Sequence, residues 1–457
     1  MKKAISVVGL GKLGAPMVAC FAAKGFRVTG VDQDARKVDA INSGEAPVFE
    51  PGLGGLLQAS RDRVTASQDV EAAVLASDVT FIVVATPSEP GGGFSLRYVL
   101  PACEAIGRAL RYKQNFHLVC LTSTVMPGST DGAVRPALEQ ASGMKAGRDF
   151  GLCYNPEFIA LGSVIRDFLN PDFLLIGESD PQSGETLESI YRETCENRPA
   201  FARMNLINAE ITKLAVNTFV TTKISFANML ARMCEKLPDA NVDVVTKALG
   251  LDSRIGAKYL KGAVSYGGPC FPRDNLAMGA LARMIGAPDD IARVTDSFNR
   301  SQISWLVDLV QSYLAPGAKT GILGLTYKPN TDVVEQASGL LVAQELAARG
   351  VAVVAYDPEG IKNSALALDG KVRFATSVRE CICEADVVIV TTPWQEFCAV
   401  PSEDWGRAGS PRTVIDCWRV LEYLKTSNGV RYFCIGKGET SLKQGSPVTE
   451  TEVLQRR

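Results

Sequence analysis

The chain has few of the residues from which metal centres are commonly built. Among 457 residues there is one histidine, His117, and the twelve cysteines include no C-x-x-C pair. Because zinc sites draw on clustered histidines and cysteines, we expect no metal centre. His117 stands at the start of an expected strand, where a structural role is favoured over a catalytic one.

Long apolar runs and an excess of charge of one sign are also missing. No apolar stretch reaches the roughly 18–20 residues that a bilayer span requires. Lysine and arginine number 48 against 50 aspartates and glutamates, a net charge of -2, whereas nucleic-acid-binding surfaces usually show a basic excess. We therefore expect no membrane partner and no nucleic-acid partner.

The start of the sequence and its cysteines both indicate a cytoplasmic protein. Residues 1–5 (MKKAI) lead through a short strand-like run into glycines, which is unlike a secretory signal peptide. The cysteines are scattered without a disulfide framework, a distribution typical of a reducing compartment.

The apolar pattern predicts an α/β fold with two doubly wound, Rossmann-like domains joined by a long central helix. A chain of 457 residues is too long for one ordinary core, and short apolar strands alternate with helical stretches in both halves. SDVTFIVVATP (77–87) is echoed by EADVVIVTTP (384–393), and Asp32 by Asp357. The expected strands are Ile5–Val8, Arg27–Val31, Val79–Ala85, His117–Leu121, Leu174–Ile176, Thr320–Leu323, Val351–Tyr356, Val387–Val390 and Thr413–Ile415.

The segment 206–236 is predicted to be the central helix. It lacks glycine and proline and repeats apolar residues at helical spacing. Its β-branched middle, 218–224, would favour a strand locally, but the length of the segment favours a helix. Such a helix could form a spine between the domains and a dimer surface.

A glycine fingerprint follows the first expected strand and opens a helix. Gly9 permits a tight turn, Gly11 lets the backbone approach a pyrophosphate, and Gly14 lets helix and strand pack closely. Asp32 ends the next strand, where a carboxylate would bond the adenine-ribose hydroxyls and repel a 2′-phosphate. The pattern predicts dinucleotide binding, with NAD favoured over NADP.

Three polar side chains follow expected strands or their extensions. Thr86 and Thr124 would lie near the nicotinamide ribose, or would simply cap the next helix. Glu157, in the run NPEF, could be a general base acting on water or a solvated loop charge. At this point both interpretations stay open for each residue.

Lys213 and Asn217 lie four residues apart on the central helix and therefore on one face. A solvated lysine is the usual case. Here the neighbouring residues are apolar, which favours a closed site where an ammonium and an amide hold an oxyanion.

Cys270 lies in the glycine-rich run GGPCFPRD (267–274). An ordinary buried thiol is the alternative to a nucleophile. Arg273 would lower the pKa of the thiol toward the thiolate that attacks carbonyls, and Asp274 adds a carboxylate four residues on. This setting favours a nucleophile.

Taken in order, these motifs resemble the UDP-glucose/GDP-mannose dehydrogenase family of nucleotide-sugar dehydrogenases, from Ile5 to about Trp418. The motifs that carry the resemblance are GLGKLG, STVMPGST, NPEF, ITKLAVNTFVTTKISFAN, DSRIG, GGPCFPRD, TYKPNTD and TTPWQEF. The resemblance implies a homodimer or higher homo-oligomer. The domains it implies are an NAD-binding Rossmann domain over 1–203, a central helical dimerisation region over 204–300, a sugar-nucleotide-binding α/β domain over 301–440 and a flexible tail over 441–457.

The resemblance also implies a four-electron oxidation of a sugar C6 hydroxyl to a carboxylate, with two NAD and a thiohemiacetal and thioester on the cysteine. The catalytic residues implied are Cys270 as nucleophile, Lys213 and Asn217 for the oxyanions, Asp274 and Thr124 for a water, and Glu157 for thioester hydrolysis. The cofactor residues are Gly9, Gly11, Lys12, Leu13, Gly14, Asp32, Lys37, Thr86, Thr124 and Arg273. The residues for a nucleotide-sugar substrate are Glu157, Phe158, Lys213, Asn217, Arg254, Tyr259, Leu260, Lys261, Gly267 and Lys328, with Arg254 reaching the neighbour's substrate across the dimer.

Two departures from the family pattern bear on what the enzyme does. Leu161 stands where many members carry a second glutamate, and Glu335 where an arginine that contacts NAD is usual. The expected reaction is UDP-glucose to UDP-glucuronate for polysaccharide synthesis, with GDP-mannose or a UDP-N-acetylhexosamine as alternative substrates. A two-electron β-hydroxyacid-type dehydrogenase would not need Cys270, and a non-catalytic binding or scaffold protein is suggested only by the two departures.

Overall fold

The computed structural model describes residues 2–439. The chain divides into two compact units, and the first comprises Met1–Phe219, Gly267–Asp296 and Lys328–Glu335. The second comprises Val220–Tyr266, Ser297–Tyr327 and Gln336–Arg457. The expected tail, 441–457, lies outside the described residues.

The first unit is built on an eight-stranded sheet. Its strands are β1 (Ala4–Val8), β2 (Arg27–Val31), β3 (Val64–Ser67), β4 (Val79–Ile82), β5 (Leu118–Leu121), β6 (Gly151–Tyr154), β7 (Phe173–Glu178) and β8 (Ala200–Asn205). The spatial order is β3-β2-β1-β4-β5-β6-β7-β8. All neighbours pair in parallel except β6 and β7, which are antiparallel.

Helices cover both faces of this sheet because its strands are apolar on both sides. The helices are α1 (Gly14–Ala23), α2 (Ala35–Ser43), α3 (Leu53–Ala59), α4 (Val70–Leu75), α5 (Val99–Leu110), α6 (Arg135–Ser142), α7 (Val164–Leu169) and α8 (Pro181–Thr194), with a 3-10 turn at Arg61–Arg63 and a π-helical turn at Thr130–Val134. One core contains Ile5, Phe21 and Phe81, and the other contains Val8 and Ile82. Successive residues of β1 thus enter opposite cores.

The predicted central helix is confirmed as α9 (Leu206–Cys234). Its β-branched middle does not interrupt it, since packing along the helix overrides local strand propensity. It leads along the chain from the first unit into the second. The remaining helices before the second sheet are α10 (Val242–Leu251), α11 (Phe271–Met284) and α12 (Asp290–Ser312).

The second unit contains a six-stranded parallel sheet in the order β11-β10-β9-β12-β13-β14. The strands are β9 (Lys319–Leu323), β10 (Ala352–Tyr356), β11 (Arg373–Phe374), β12 (Val387–Val390), β13 (Arg412–Asp416) and β14 (Val430–Cys434). The helices are α13 (Ser338–Ala348), α14 (Ile361–Leu368), α15 (Val378–Glu384), α16 (Gln395–Cys398) and α17 (Ser402–Trp405), with a 3-10 turn at Glu422–Thr426.

The echo between the two halves extends to single hydrogen bonds. Asp32 accepts a hydrogen bond from the backbone N–H of Leu10 at 2.8 Å, and Asp357 accepts one from the backbone N–H of Leu325 at 2.7 Å. In the second unit Asp357 is fully buried and also contacts Trp394 Nε1 at 3.2 Å. Its carboxylate is therefore occupied by protein groups, whereas Asp32 is half-buried.

Candidate active site

The glycine fingerprint forms a tight turn between β1 and α1. Gly9 has a φ of 107°, and a Cβ there would lie 2.5 Å from the carbonyl oxygen of Val83. A Cβ on Gly14 would overlap the carbonyl oxygen of Gly9, whereas one on Gly11 would meet no atom within 4 Å. Gly9 and Gly14 therefore serve close packing, and the open side of Gly11 fits the pyrophosphate of a dinucleotide at a helix N-terminus.

Asp32 and two lysines lie beside this turn. Asp32 Oδ2 accepts hydrogen bonds from Leu10 N at 2.8 Å and from Lys37 Nζ at 3.0 Å. Lys12 Nζ lies 3.2 Å from Asp332 Oδ1. The structure thus brings the fingerprint, Asp32, Lys37 and Lys12 together, in a cradle where a carboxylate can face ribose hydroxyls.

The loops that follow β4 and β5 are joined to the start of α11. Thr86 Oγ1 donates to the carbonyl oxygen of Thr124 at 2.7 Å. Arg273 Nη1 donates to the carbonyl oxygen of Thr86 at 3.2 Å, and its guanidinium lies 4.6 Å from the Phe94 ring centre. The two threonines and Arg273 therefore meet at the carboxyl ends of adjacent strands, where open α/β sheets bind their ligands.

Cys270 is the residue at the amino end of α11. Its side chain is exposed in the isolated chain, and Gly267 before it is buried. Gly268 has a φ of 81° and donates from its N–H to the carbonyl oxygen of Glu335 at 2.8 Å. This left-handed turn and its hydrogen bond fix the loop that presents the sulfur.

The pKa of the Cys270 thiol is raised above its ordinary value. Partial desolvation by the surrounding protein is the main cause, and the carboxylates of Asp274 and Glu335 add to it. Lys213 and Arg273 act in the opposite direction but do not prevail. The expectation that nearby cations would lower this pKa is therefore wrong for the cofactor-free chain, because desolvation and two carboxylates outweigh them.

Asp274, one turn into α11, is paired with the central helix. Asn217 Nδ2 donates to Asp274 Oδ2 at 2.6 Å, and the two side chains are 6% and 1% exposed. Asp274 Oδ1 is buried without a hydrogen-bond partner among residues 2–439, although Arg273 Nε lies 3.5 Å away. An acceptor of this kind can hold a water or a substrate hydroxyl.

Lys213 contacts the NPEF segment from the same face of α9. Its Nζ donates to the carbonyl oxygen of Glu157 at 2.8 Å and lies 4.6 Å from the Phe158 ring centre. The side chain is buried, so its ammonium is held in a closed environment rather than in solvent. The contacts bring Lys213, Glu157 and Phe158 together.

Burial raises the pKa of Glu157 from 4.5 to about 7, while a hydrogen bond from Tyr191 and the charge of Lys213 act to lower it. Glu157 Oε1 lies 2.8 Å from the Tyr191 hydroxyl. A carboxyl with a pKa near the operating pH can both accept and deliver a proton. The solvated-loop interpretation of Glu157 is therefore replaced by that of an enclosed acid.

Lys328 belongs to the first unit and is half-buried. Burial lowers its pKa, which the carboxylates of Asp167 and Glu50 partly offset. Glu50 accepts hydrogen bonds from Gly162 N at 2.8 Å and Val164 N at 2.7 Å, so it fixes the loop that follows the NPEF segment.

Four predicted substrate residues lie in the second unit. Arg254 is exposed and pairs with Asp252 at 2.6 Å, while Tyr259 has a φ of 64° and Leu260 is buried. Lys261 is exposed. Their loop is fixed to the second half of α9 by hydrogen bonds at either end, and their part in substrate binding stays a prediction.

Three residues that hydrogen-bond to segments of the site were not predicted from the sequence. Glu210 is fully buried on α9 and accepts hydrogen bonds from Gly128 N at 2.5 Å and Thr130 N at 2.8 Å. Its place three residues before Lys213 on an apolar helix was a usable signal. Tyr191 and Asn155 gave none, because a tyrosine in a helix and an asparagine after a strand are common in cores and turns.

Residues 2–439 contain neither a metal-binding cluster nor a membrane-spanning helix. No group of three or more histidine, cysteine, aspartate or glutamate side chains in residues 2–439 could hold a metal ion. No helix in that range is long and apolar enough to cross a membrane.

Three family models match the chain in succession. They are the NAD binding domain of the UDP-glucose/GDP-mannose dehydrogenase family over residues 3–195, its central domain over 207–301 and its UDP binding domain over 321–423. The first contains the fingerprint and Glu157, and the second contains Lys213, Asn217 and Cys270.

Curated relatives and a solved structure match over most of their length. A UDP-glucose 6-dehydrogenase of Haloferax volcanii is 34% identical over 91% of this chain and 97% of the relative. A GDP-mannose 6-dehydrogenase of Pseudomonas aeruginosa is 35% identical over 77% of this chain and 80% of the relative. The structure of a UDP-glucose dehydrogenase from Pyrobaculum islandicum is 32% identical and superposes with a TM-score of 0.86, covering 96% of this chain and 98% of that one.

Proposed function

The chain belongs to the UDP-glucose/GDP-mannose dehydrogenase family, and on that premise we propose that it oxidises the C6 hydroxyl of UDP-glucose to a carboxylate through a covalent intermediate on Cys270. The cofactor is NAD. The observation that carries the proposal is the hydrogen bond from Asn217 to Asp274. It places a buried amide of α9 against a carboxylate that lies one helical turn after the thiol.

The chemistry that NAD supplies when bound is hydride acceptance, once for each of two successive oxidations. The open side of Gly11 and the carboxylate of Asp32 would hold the dinucleotide. Lys213 Nζ and Asn217 Nδ2 would face the C6 oxygen and stabilise its negative charge as the hydroxyl proton leaves. Asp274 Oδ1, buried without a hydrogen-bond partner in the described chain, would receive that proton through a water.

The thiol keeps the half-oxidised sugar in place. Cys270 Sγ adds to the C6 aldehyde carbon, and the thiol proton passes through the water on Asp274 to the former carbonyl oxygen, which gives a thiohemiacetal. Transfer of the C6 hydride to a second NAD, with loss of the hydroxyl proton to that water, would convert it to a thioester. Water then adds to the thioester carbon, the C–S bond breaks, and the carboxylate leaves as the thiol is restored. Tethering of this kind is worth roughly 7–11 kcal/mol where the geometry is ideal.

Glu157 would serve the hydrolytic step. Its pKa near 7 lets it take a proton from the attacking water and return one to the departing sulfur. A raised thiol pKa in the resting chain is consistent with a thiol that loses its proton only when substrate has entered.

UDP-glucose is favoured as substrate by the curated relatives, which include UDP-glucose 6-dehydrogenases matched over 91% and 95% of this chain. GDP-mannose 6-dehydrogenases match over 77%, so GDP-mannose is the second candidate. The product would be consumed in polysaccharide synthesis. Twelve free thiols fit a reducing compartment such as the cytoplasm.

The test is a count of NADH formed per sugar consumed, with excess NAD and each of UDP-glucose, GDP-mannose and a UDP-N-acetylhexosamine. We expect two NADH per UDP-glucose and a lower kcat/KM for the other sugars. One NADH per sugar would indicate a two-electron dehydrogenase, and none with any sugar would indicate a binding protein. Highest kcat/KM with another sugar would overturn the substrate assignment alone.

We also propose a homodimer formed through the helical middle of the chain. Its support is a series of exposed apolar side chains, namely Phe219 (66%), Leu251 (82%), Met284 (74%), Ile285 (68%) and Ile291 (69%). Large apolar side chains that are exposed on an isolated chain often become buried in an interface between subunits. Light scattering on the purified protein should give twice the monomer mass, and Ile291→Asp should lower it.

A further inference from the structure

Three polar groups form a hydrogen-bonded chain behind the candidate active site. The Tyr191 hydroxyl lies 2.6 Å from Asn155 Oδ1 and 2.8 Å from Glu157 Oε1. Tyr191 and Asn155 are both fully buried. The hydroxyl is thus placed between an amide oxygen and a carboxyl oxygen, out of reach of bulk solvent.

The orientation of the Asn155 amide is fixed by its other contact. Asn155 Nδ2 lies 3.0 Å from the carbonyl oxygen of Leu175, which can only accept a hydrogen bond. The nitrogen must therefore face Leu175, and Oδ1 must face Tyr191. Asn155 presents an acceptor to the tyrosine in every protonation state of the site.

A tyrosine hydroxyl has one proton to donate. If Glu157 is ionised, that proton can go to the carboxylate or to Asn155 Oδ1, and the other buried oxygen is left without a donor. If Glu157 is protonated, its O–H donates to the tyrosine oxygen and Tyr191 donates to Asn155. Only the protonated form satisfies both contacts, and an unpaired buried acceptor is destabilising.

We propose that Asn155 is a positioning residue that competes with the Glu157 carboxylate for the Tyr191 proton and so keeps Glu157 protonated in the resting enzyme, and that the Tyr191 hydroxyl reverses its direction when Glu157 gives up its proton. The proposal rests on the catalytic role given to Glu157 above. It means that Glu157, which is partly exposed, enters each turnover protonated and acts as a base on water only after its proton has passed to solvent.

The other titratable groups near Glu157 do not account for its protonation. Lys213, from α9, favours ionisation, but the hydrogen bond it donates to Glu157 goes to the backbone carbonyl oxygen of that residue and not to its carboxyl group. Cys20 on α1 and Cys195 after α8 interact electrostatically with Glu157, and burial raises the pKa of each thiol to about 12. Both thiols are therefore neutral at physiological pH. Lys213 is the charged group whose effect on the ionisation of Glu157 the contacts of Asn155 and Tyr191 must offset.

The proposal predicts opposite effects from two substitutions. Tyr191→Phe removes the donor that a carboxylate would use, so Glu157 should titrate at higher pH. Asn155→Leu removes the competing acceptor, so the hydroxyl is free to donate to the carboxylate and Glu157 should titrate at lower pH. Because a hydrogen bond to a charged group is stronger than one to a neutral group, each shift should be about one pH unit.

The experiment is an infrared pH titration of the full-length protein without substrate, following the protonated-carboxyl band that Glu157→Gln abolishes. The band should vanish near neutral pH in the wild type and move in opposite directions in the two variants. Shifts in the same direction, or a wild-type Glu157 already ionised at pH 5, would overturn the proposal. If Asn155→Leu does not fold, an unshifted or lowered midpoint in Tyr191→Phe suffices to overturn it. NADH formation is not needed, so failure here leaves the proposed reaction to its own test.

Discussion

Asn217 Nδ2 donates to Asp274 Oδ2 over 2.6 Å, between side chains that are both more than nine-tenths buried. This bond joins α9 to α11 one turn after Cys270. It leaves Asp274 Oδ1 without a hydrogen-bond partner in the described part of the chain. The carboxylate is thus anchored by one oxygen and open at the other, which suits a group that holds a reacting water.

Asn217→Ala should remove the anchor and disable the site. The buried carboxylate then loses its one protein hydrogen bond, which costs roughly 1–3 kcal/mol of unfolding free energy. Because Asn217 would also stabilise the oxyanion, kcat should fall about a hundredfold. Urea unfolding and steady-state kinetics measure both. Asn208→Ala, at an exposed position of the same helix, is the matched control, and equal turnover in the two variants would contradict the assignment.

Gly11 and Gly14 should respond to alanine in different ways. A Cβ at Gly14 would overlap the backbone of Gly9, so Gly14→Ala should lower stability and thermal midpoint. A Cβ at Gly11 meets no atom within 4 Å, so Gly11→Ala should keep the wild-type melting temperature while NAD binding weakens at least about tenfold, since the methyl would occupy the place of the pyrophosphate. Calorimetry with and without NAD separates the two. A Gly11→Ala protein that melts early, or binds NAD normally, would count against this cradle.

Much of the fold could be predicted because its signals are local. Strands β2 and β12 are found at the predicted residues, and the length of α9 overrides its β-branched middle. The missed strands are short or polar, as in β3 (VTAS), β6 (GLCY) and β8 (AFARMN). The antiparallel pairing of β6 and β7 was also missed, because alternation of apolar residues does not encode strand direction.

The site was predictable to the extent that spacing determines it. A four-residue interval places Lys213 and Asn217 on one face of a helix, and a strand–turn–helix pattern places Gly11. The pKa of Cys270 could not be predicted in this way, since it depends on desolvation and on Glu335, which is 65 positions away in sequence (335 − 270). The contact of Tyr191 with Glu157 likewise depends on tertiary packing alone.

The reactivity of Cys270 should follow the charges around it. Glu335 raises the pKa of the thiol and Lys213 lowers it. Glu335→Gln should therefore speed alkylation by iodoacetamide at pH 8, and Lys213→Met should slow it, because only the thiolate reacts. Mass spectrometry of the Cys270 peptide distinguishes it from the exposed thiols Cys383 and Cys398. Glu403→Gln, at an exposed glutamate of the second unit, should leave the rate unchanged. The same rate in all three variants would contradict the charge assignments.

Glu157 should make the fold less stable as the pH rises toward neutrality. Its pKa is raised from 4.5 to about 7 in the folded chain. Below about pH 4.5 both folded and unfolded states hold the proton, and this group's contribution is fully present. As the pH rises, the unfolded chain releases the proton first, so the contribution falls until the folded carboxyl also ionises near pH 7. A shift of this size corresponds to about 3 kcal/mol.

Glu157→Gln should remove that fall, because an amide does not titrate and can donate from its nitrogen to the Tyr191 oxygen. The unfolding free energy of the variant relative to the wild type should therefore increase by about 3 kcal/mol between pH 4.5 and pH 8. Glu185→Gln, at an exposed position of α8, should track the wild type throughout. Urea titrations at four pH values give the comparison. If the difference in unfolding free energy between Glu157→Gln and wild type were the same at every pH, Glu157 would titrate alike in the folded and unfolded chain. The assignment of Glu157 as an enclosed acid would then be wrong.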